Sequence, residues 1–255
     1  MFPGPGPYTS NFPGCTNCAI LGSVVMNTVA GTGCGWSGSG ARIINSTWIN
    51  NGAHFDRTWP SGARGWWSDG LTLNECQDAI VEGNVFADNS DINIIVAGAS
   101  GGVFRRNTVR MVNNGAFGGM MADNFNASGP PSNYSGAVFR ENLIDCGGRC
   151  HFGIELGGHP WYMSTNLVGP ATFTNNTVGG AAVLIDAYGA GTTAGPFAVF
   201  GNIFAGSCVG GVQFLCPGYV SLCSAINIAP DSVIDRRGET LPVATTEMKI
   251  FRGCP

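Results

Sequence analysis

The chain has 255 residues, of which 40 are glycine and only 11% are charged, and its formal net charge is −4. This charge, with no basic cluster larger than Arg105, Arg106 and Arg110, argues against a nucleic-acid partner, because phosphate binding needs clustered Arg and Lys. No apolar run approaches the ~20 residues of a membrane-spanning helix, so we expect no membrane partner either.

Val, Ile, Thr and Phe are interleaved with Gly, Asn and Ser along the chain, and Lys249 is the only lysine. β-branched and aromatic residues favour strands, whereas Gly, Asn and Ser favour tight turns. We therefore predict an all-β chain with a single domain over residues 1–255 and an irregular capping segment over residues 216–255. The first residues, Met1-Phe-Pro-Gly, show no leader pattern, so we allow for an incomplete N-terminal region.

The ten cysteines indicate an oxidising compartment. Three pairs are close enough in sequence to clip loops as disulfides: Cys15/Cys18, Cys146/Cys150 and Cys216/Cys223. Zinc is the weaker alternative, since the chain has one C-x-x-C and three histidines. Four N-x-S/T sequons also fit secretion, and we predict an extracellular protein.

An Asn followed by mostly β-branched or bulky apolar residues recurs along the chain. The copies begin at Asn27, Asn45, Asn84, Asn107, Asn142, Asn176 and Asn202. Their spacings are 18, 39, 23, 35, 34 and 26 residues. The short spacings match one coil of a parallel β-solenoid, and the long ones match a coil with an insertion or nearly two coils.

A second short alternating strand follows most copies, as in Ile92-Asn-Ile-Ile-Val-Ala-Gly and Phe152-Gly-Ile-Glu-Leu-Gly-Gly. Alternation of period two is typical of half-buried strands. Asn tolerates the left-handed backbone of a corner, and stacked Asn side chains can hydrogen-bond to one another. We therefore predict that Asn84 and Asn107 lie at equivalent corners of successive coils.

This x-N-x-[VIF] pattern, followed by a strand and small residues, resembles the right-handed parallel β-helix proteins of the pectate-lyase-like superfamily over residues 15–215. The resemblance implies a single-stranded right-handed parallel β-helix. Members of the superfamily include polysaccharide lyases, polygalacturonase-type hydrolases, epimerases, phage tailspikes and non-catalytic surface proteins. The resemblance therefore specifies the fold more closely than the activity.

Asp69 and Asp91 begin two strands and are 22 residues apart, which is one coil. Stacking would bring their carboxyl groups together, with Asp88 on the turn just before. Crowded carboxylates raise one another's pKa, so that one stays protonated as a general acid while another ionises. We predict catalytic roles for Asp69, Asp88 and Asp91. The alternatives are plain turn residues or a calcium site.

Further candidate residues lie on the same outward face or beside it. We predict that the sugar is bound by His151, Glu155, His159, Arg105, Trp66, Trp67 and Trp161. The offset between "D-I-N-I-I-V-A-G" and "H-F-G-I-E-L-G-G" places His151 level with Asp91. Exposed Trp side chains suit stacking on the apolar faces of sugar rings.

Polygalacturonase-like enzymes resemble this chain in the order of three elements: Asp69-Gly70, then Asp88 with Asp91, then Gly157-Gly158-His159. The chain departs from them because its acidic pair is not contiguous and it lacks an Arg-Ile-Lys signature.

The leading hypothesis is a secreted carbohydrate-active enzyme, a glycoside hydrolase that cleaves a polysaccharide and needs no cofactor, with calcium as the one cation to test. The first alternative is a non-catalytic β-helix surface protein, adhesin or filament subunit capable of self-assembly. The second is a uronate lyase or epimerase in which Arg105 or Arg106 neutralises the substrate carboxylate.

Overall fold

The computed structural model describes residues 10–28, 31–52, 67–123, 131–157, 165–186, 190–194, 197–205, 210–213, 226–228 and 243–244. Within these ranges the chain forms β-strands and no helix, so it contains no helix that is long and apolar enough to cross a membrane. All strand pairings there are parallel. The all-β prediction is confirmed for this part of the chain.

The strands recur in sets of three, called repeats here, and each strand pairs with its counterpart in the next repeat. The first strands are β1 (Ser10–Phe12), β4 (Gly31–Ser39), β7 (Ser68–Gln77), β10 (Ile92–Ala97), β13 (Ala116–Ala122), β16 (Leu143–Leu156), β19 (Thr177–Asp186), β23 (Gly210–Gln213) and β25 (Val243–Ala244). The second strands are β2 (Ala19–Leu21), β5 (Arg42–Ile44), β8 (Ile80–Glu82), β11 (Val103–Arg105), β15 (Ala137–Arg140), β18 (Ala171–Thr174), β21 (Phe197–Phe200) and β24 (Ile226–Ile228). The third strands are β3 (Val24–Met26), β6 (Thr47–Ile49), β9 (Val85–Ala87), β12 (Thr108–Arg110) and β22 (Ile203–Ala205). A further sheet contains β14 (Ser132–Asn133), β17 (Thr165–Val168) and β20 (Ala190–Ala194).

Two long strands join the third-strand series to the first-strand series in one sheet. The start of β16 pairs with β12, and its end pairs with β13. Strand β19 continues both pairings on the other side of β16. A chain that returns every repeat to the same three faces explains why its sequence returns to the same pattern.

The core is filled by side chains from the centres of short strands, whose flanking residues point outward. Phe104, Phe139 and Phe173 stack along the second-strand series, with ring centroids 4.5 and 4.3 Å apart. Trp48 and Phe86 stack in the third-strand series at 4.9 Å. All five are fully buried. Burying each such side chain contributes about 2–3 kcal/mol, which makes these stacks a main source of stability.

A ladder of buried asparagines follows the corner between the second and third strands. It consists of Asn84, Asn107, Asn142, Asn176 and Asn202. The Nδ2 of each of the first four donates to the Oδ1 of the next, over 2.9 or 3.0 Å. The backbone N–H of each of these four asparagines also donates to the Oδ1 of the next asparagine in the ladder. The prediction that Asn84 and Asn107 lie at equivalent corners is confirmed.

The prediction that these asparagines adopt the left-handed backbone is wrong. The positive φ belongs to the residue before each ladder asparagine, which is Gly83, Arg106, Glu141, Asn175 or Gly201. The left-handed residue makes the turn, and this turn aims the next side chain into the protein. Asn45 occupies the turning position with φ 51°, so Ser46 rather than Asn45 continues the ladder towards Asn84.

Asn27 belongs to a different corner, between a third strand and the following first strand. Its counterparts there are Asn50 and Asp88, all with positive φ. Asn51 and Asn89, the residues that follow Asn50 and Asp88, form a second short ladder, with 2.8 Å between the Asn51 Nδ2 and the Asn89 Oδ1.

Two of the three predicted disulfides are present, Cys15–Cys18 and Cys146–Cys150. Cys216 and Cys223 lie outside the described residues, as does most of the predicted capping segment 216–255. Cys34 and Cys76 are buried free thiols. Two short disulfides fit the expectation of an oxidising compartment.

Candidate active site

Asp69 lies near the start of β7, and Asp91 immediately precedes β10, the neighbouring first strand. The backbone N–H of Asp91 donates to the carbonyl of Ser68, the residue before Asp69, over 3.1 Å. Further along, Leu71 is opposite Ile94. The two strand starts that carry the aspartates are therefore neighbours.

The carboxyl group of Asp69 is held at both oxygens. Its Oδ1 accepts the N–H of Ile92 at 3.2 Å, and its Oδ2 lies 3.1 Å from the hydroxyl of Thr72. The Thr72 hydroxyl is also 2.9 Å from that of Thr32 on β4. Asp69 is thus fixed beside the peptide that links Asp91 to Ile92, so the two carboxyl groups are close neighbours.

The carboxyl group of Asp91 has a different environment. Its Oδ1 is buried and accepts no hydrogen bond. Burial raises the pKa of Asp91 well above its usual range, and the charge of Asp69 raises it further. Burial also raises the pKa of Asp69 to about 7, against the lowering effect of the bonds from Ile92 and Thr72. At neutral pH the pair therefore retains at least one proton.

An aromatic column lies beside this carboxyl pair. It consists of Trp67, Phe117 and His151, with ring centroids 4.4 Å apart for Trp67 and Phe117 and 5.0 Å apart for Phe117 and His151. The backbone N–H of Phe117 donates to the carbonyl of Asp91 at 2.9 Å. The column is therefore anchored directly on the residue that carries one of the two carboxyl groups.

His151 lies in the same row as Asp91, but two strands away. The pairing of Ala116 with Cys150 and of Gly118 with Phe152 puts Phe117 opposite His151. Strand β13 thus stands between the two predicted site residues. Strand β13 is the first strand of the repeat that contains Asn142, and it lies within the long stretch between Asn114 and Ser135.

Glu155 is buried and lies in another row of the same face, opposite Met121 and Asp186. Ile95, which is level with Thr72, precedes Met121 in this row. Three strand spacings of about 4.8 Å separate Glu155 from Thr72, so Glu155 does not contact the carboxyl pair. The structure brings together Glu155 and Asp186 instead.

Asp88 is occupied in a turn. Its Oδ1 accepts the N–H groups of Val112, Asn113 and Asn114 at 2.8, 2.9 and 3.1 Å, and its Oδ2 accepts the Asn113 Nδ2 at 2.9 Å. Burial alone would raise its pKa, but these hydrogen bonds outweigh burial and lower it. A carboxylate that is held ionised by four donors is suited to stabilising a turn and poorly suited to proton transfer.

Arg105 is not placed to neutralise the carboxyl pair. It lies on β11 in the other large sheet, where its Nη2 is 2.7 Å from Glu82 Oε2. Arg106 is likewise bonded to Glu141, at 2.8 Å. The physical reason is the corner after each first strand, which turns the second strands to a different face of the protein. The sequence analysis placed Arg105 among the sugar-binding residues near Asp91, but the corner between them puts the two residues on different faces.

The remaining predicted site residues, Trp66, His159 and Trp161, lie outside the described part of the chain. Among the residues that are described, no three His, Cys, Asp or Glu side chains form a group able to hold a metal ion. The sequence analysis missed two residues: Thr72, whose hydroxyl is within hydrogen-bonding distance of the Asp69 carboxyl group, and Phe117, whose N–H donates to the backbone carbonyl of Asp91. The alternation of Leu71, Thr72 and Leu73 marks Thr72 as outward-facing, and this was the available signal for it.

No protein-family model, no curated protein and no solved structure matches this chain.

Proposed function

We propose that each three-strand repeat is one coil of a single-stranded right-handed parallel β-helix of the pectate-lyase-like class. Two observations support this assignment. Every strand pairs in parallel with its counterpart one repeat later, and the asparagine ladder runs through five successive repeats at one corner. Both are expected of a chain that winds with a constant pitch.

On this scaffold, we propose a glycoside hydrolase that acts on a polysaccharide. The observation that carries the proposal is the carboxyl pair, in which Asp69 reaches the peptide beside Asp91 and both pKa values are raised. Glycosidic cleavage needs one protonated and one ionised carboxyl group at the same bond. The different environments of Asp69 and Asp91 supply that combination.

The roles follow from the hydrogen bonds. Asp91, in its protonated form, donates its proton to the glycosidic oxygen as that bond breaks. Asp69, in its ionised form, attacks the anomeric carbon and forms a glycosyl ester. Water then cleaves the ester, giving its proton to Asp91 and its hydroxyl group to the sugar. Neighbouring strands are about 4.8 Å apart, close to the ~5–5.5 Å between carboxyl groups in retaining enzymes and below the ~6.5–9.5 Å in inverting ones.

The aromatic column provides the sugar-binding surface. Trp67 and Phe117 pack against each other, His151 extends the column by one more strand, and all three residues are half-buried. Apolar rings contact the C–H groups of sugars, and the His side chain adds a hydrogen-bonding group. A chain-like substrate lying along the repeats would contact all three rings.

Two disulfides in the described chain support a secreted location, where polysaccharides are accessible. We retain calcium as a cation to test at the carboxyl pair and propose no cofactor.

The test is a screen of the purified protein against a panel of neutral and acidic polysaccharides, measuring reducing ends and absorbance near 235 nm. New reducing ends without new absorbance support a hydrolase, whereas both together indicate a lyase. Asp69→Asn and Asp91→Asn should each abolish the activity. Asp78→Asn is the matched control, because Asp78 is an exposed carboxylate at the end of the same strand region. Equal activity in all three variants would overturn the proposal.

A non-catalytic surface or self-assembling protein is the second candidate, and one surface favours it. The outward column along the third strands reads Val24, Thr47, Val85, Thr108, Leu143, Thr177 and Ile203. Its four aliphatic members are exposed. A regular row of alternating aliphatic and Thr side chains suits association with another surface. If no polysaccharide of the panel is cleaved and sedimentation shows concentration-dependent assembly, this candidate is favoured.

A further inference from the structure

We propose that Thr72 is a positioning residue that makes Asp69 the ionised member of the carboxyl pair and leaves the proton on Asp91. The part of this inference that concerns catalysis rests on the proposed hydrolase. The part that concerns ionisation does not, and it can be tested without any substrate.

The geometry of the pair is asymmetric. Both oxygens of Asp69 are within hydrogen-bonding distance of donors, the Ile92 N–H at 3.2 Å and the Thr72 hydroxyl at 3.1 Å. The Oδ1 of Asp91 is buried without a donor. Donors stabilise the charged form of a carboxyl group, and burial without donors destabilises it. The negative charge therefore belongs on Asp69.

Thr72 can respond to the state of Asp69 because its hydroxyl has a single proton and two nearby acceptors. One is Asp69 Oδ2 and the other is the Thr32 hydroxyl at 2.9 Å. Thr32 can in turn donate to the carbonyl of Cys34, at 3.2 Å. A carboxylate is the stronger acceptor, so Thr72 donates to Asp69 when Asp69 is ionised and turns towards Thr32 when it is protonated.

Among the described groups around Asp69, Thr72 is the side chain that can favour the ionised form of Asp69. Thr32 on β4 is opposite Asp69, and Asp91 immediately precedes β10, whereas Phe117 on β13 stands between Asp91 and His151. Glu75 lies at the far end of β7, where it contacts Ser132, and Asp88 is bonded in its turn. The pKa of Asp69 is raised by burial, with Ile92 and Thr72 as the groups that oppose the rise. Of these two, only Thr72 acts through a side chain that mutation can remove.

The experiment is a titration of the aspartate carboxyl carbons by NMR in the wild-type protein, Thr72→Val and Thr72→Ser. Signals are assigned with Asp69→Asn and Asp91→Asn. A hydrogen bond to a charged group corresponds to about one to two pKa units. We therefore expect Thr72→Val to raise the lower midpoint of the pair by about that amount and Thr72→Ser to restore it. Val has the shape of Thr, and thermal unfolding verifies that the variant is folded.

An unchanged midpoint in folded Thr72→Val, or a lower midpoint that belongs to Asp91, would overturn the proposal. If a polysaccharide substrate is found, the acidic limb of kcat/KM against pH should move upward with the midpoint in Thr72→Val, and not in Thr72→Ser. If the titration gives the expected midpoints but no polysaccharide is cleaved, the proposed hydrolase activity is overturned. The proposed effect of Thr72 on the ionisation of Asp69 is then still supported.

Discussion

Asp69 reaches across to the strand of Asp91 and bonds the N–H that immediately follows Asp91, at 3.2 Å. Two carboxyl groups that share a partly buried edge repel each other when both are ionised, so this arrangement costs folding free energy at high pH. Raised pKa values cluster at functional sites, which fits the catalytic role proposed for this pair. On that proposal, the carboxyl pair is where activity and stability oppose each other.

The first prediction is that stability falls as the pH rises through the titration of the pair. The pKa of Asp69 is about 7 in the folded protein and near 3.8 in the unfolded chain. The folded state therefore binds the proton more tightly, and the contribution is present below about pH 4 and is lost as the pH rises through about 7. After allowance for partial exposure to solvent, we expect a loss of about 1–3 kcal/mol. Urea unfolding at a series of pH values measures it.

The double variant Asp69→Asn/Asp91→Asn should show a flatter dependence, with stability above that of the wild type at pH 8 and similar to it at pH 4. Parallel curves for the two proteins would show that the carboxyl pair has ordinary pKa values.

The second prediction concerns stereochemistry. If a substrate is found, the close approach of Asp69 to Asp91 should make the enzyme a retaining one, with the anomeric configuration of the product equal to that of the cleaved bond. Proton NMR during the first minutes of hydrolysis, before mutarotation, distinguishes the two outcomes. Inversion would mean that a water molecule fits between the carboxyl groups and that Asp69 acts as a base.

The third prediction is that the asparagine ladder contributes strongly to the stability of the fold. Asn107 accepts two hydrogen bonds from Asn84 at its Oδ1 and donates from its Nδ2 to Val81 and Asn142. Asn107→Ala removes all four and leaves buried partners unsatisfied, so we expect a loss of about 3–5 kcal/mol. Asn27→Gly is the matched control, because Asn27 is exposed with φ 61° and glycine accepts that backbone. Its unfolding midpoint in urea should change little.

The repeat could be predicted from the sequence because each repeat places an asparagine at the same corner, where it hydrogen-bonds to its neighbours in the ladder. The strands and the equivalence of Asn84 and Asn107 followed from that, and the two disulfides followed from the close sequence spacing of their cysteines. The residue with positive φ at each corner could not be predicted from the sequence. Asn45 and Asn107 begin similar motifs, but Asn45 has positive φ itself, whereas at the corner of Asn107 the preceding residue, Arg106, has it.

The approach of Asp69 to Asp91 was also readable, because it needed only a spacing of one repeat. Contacts that depend on a direction in space were not. Arg105 follows Asp91 closely in sequence, but a corner separates their faces. Phe117 lies on β13, well before Asn142, which carries the Asn-apolar pattern of the same repeat. Sequence spacing sets the row of a residue in the sheet, whereas the corners set the face.

The last prediction separates Asp88 from the carboxyl pair. If Asp88 stabilises the turn at residues 112–114, Asp88→Ala should destabilise the protein by about 2–4 kcal/mol, because three backbone N–H groups lose their shared acceptor. Asp88→Asn keeps an oxygen for these three donors and loses the bond to the Asn113 side chain, so its loss should be smaller. Both losses should shrink below about pH 4, where the wild-type carboxylate begins to protonate, since its lowered pKa makes the contribution one that acid removes. Urea unfolding at pH 7 and at pH 3 measures all of these effects. Once a substrate is known, folded Asp88→Asn should retain activity at a temperature well below its unfolding midpoint. A folded Asp88→Asn protein without activity would instead indicate that Asp88 takes part in catalysis.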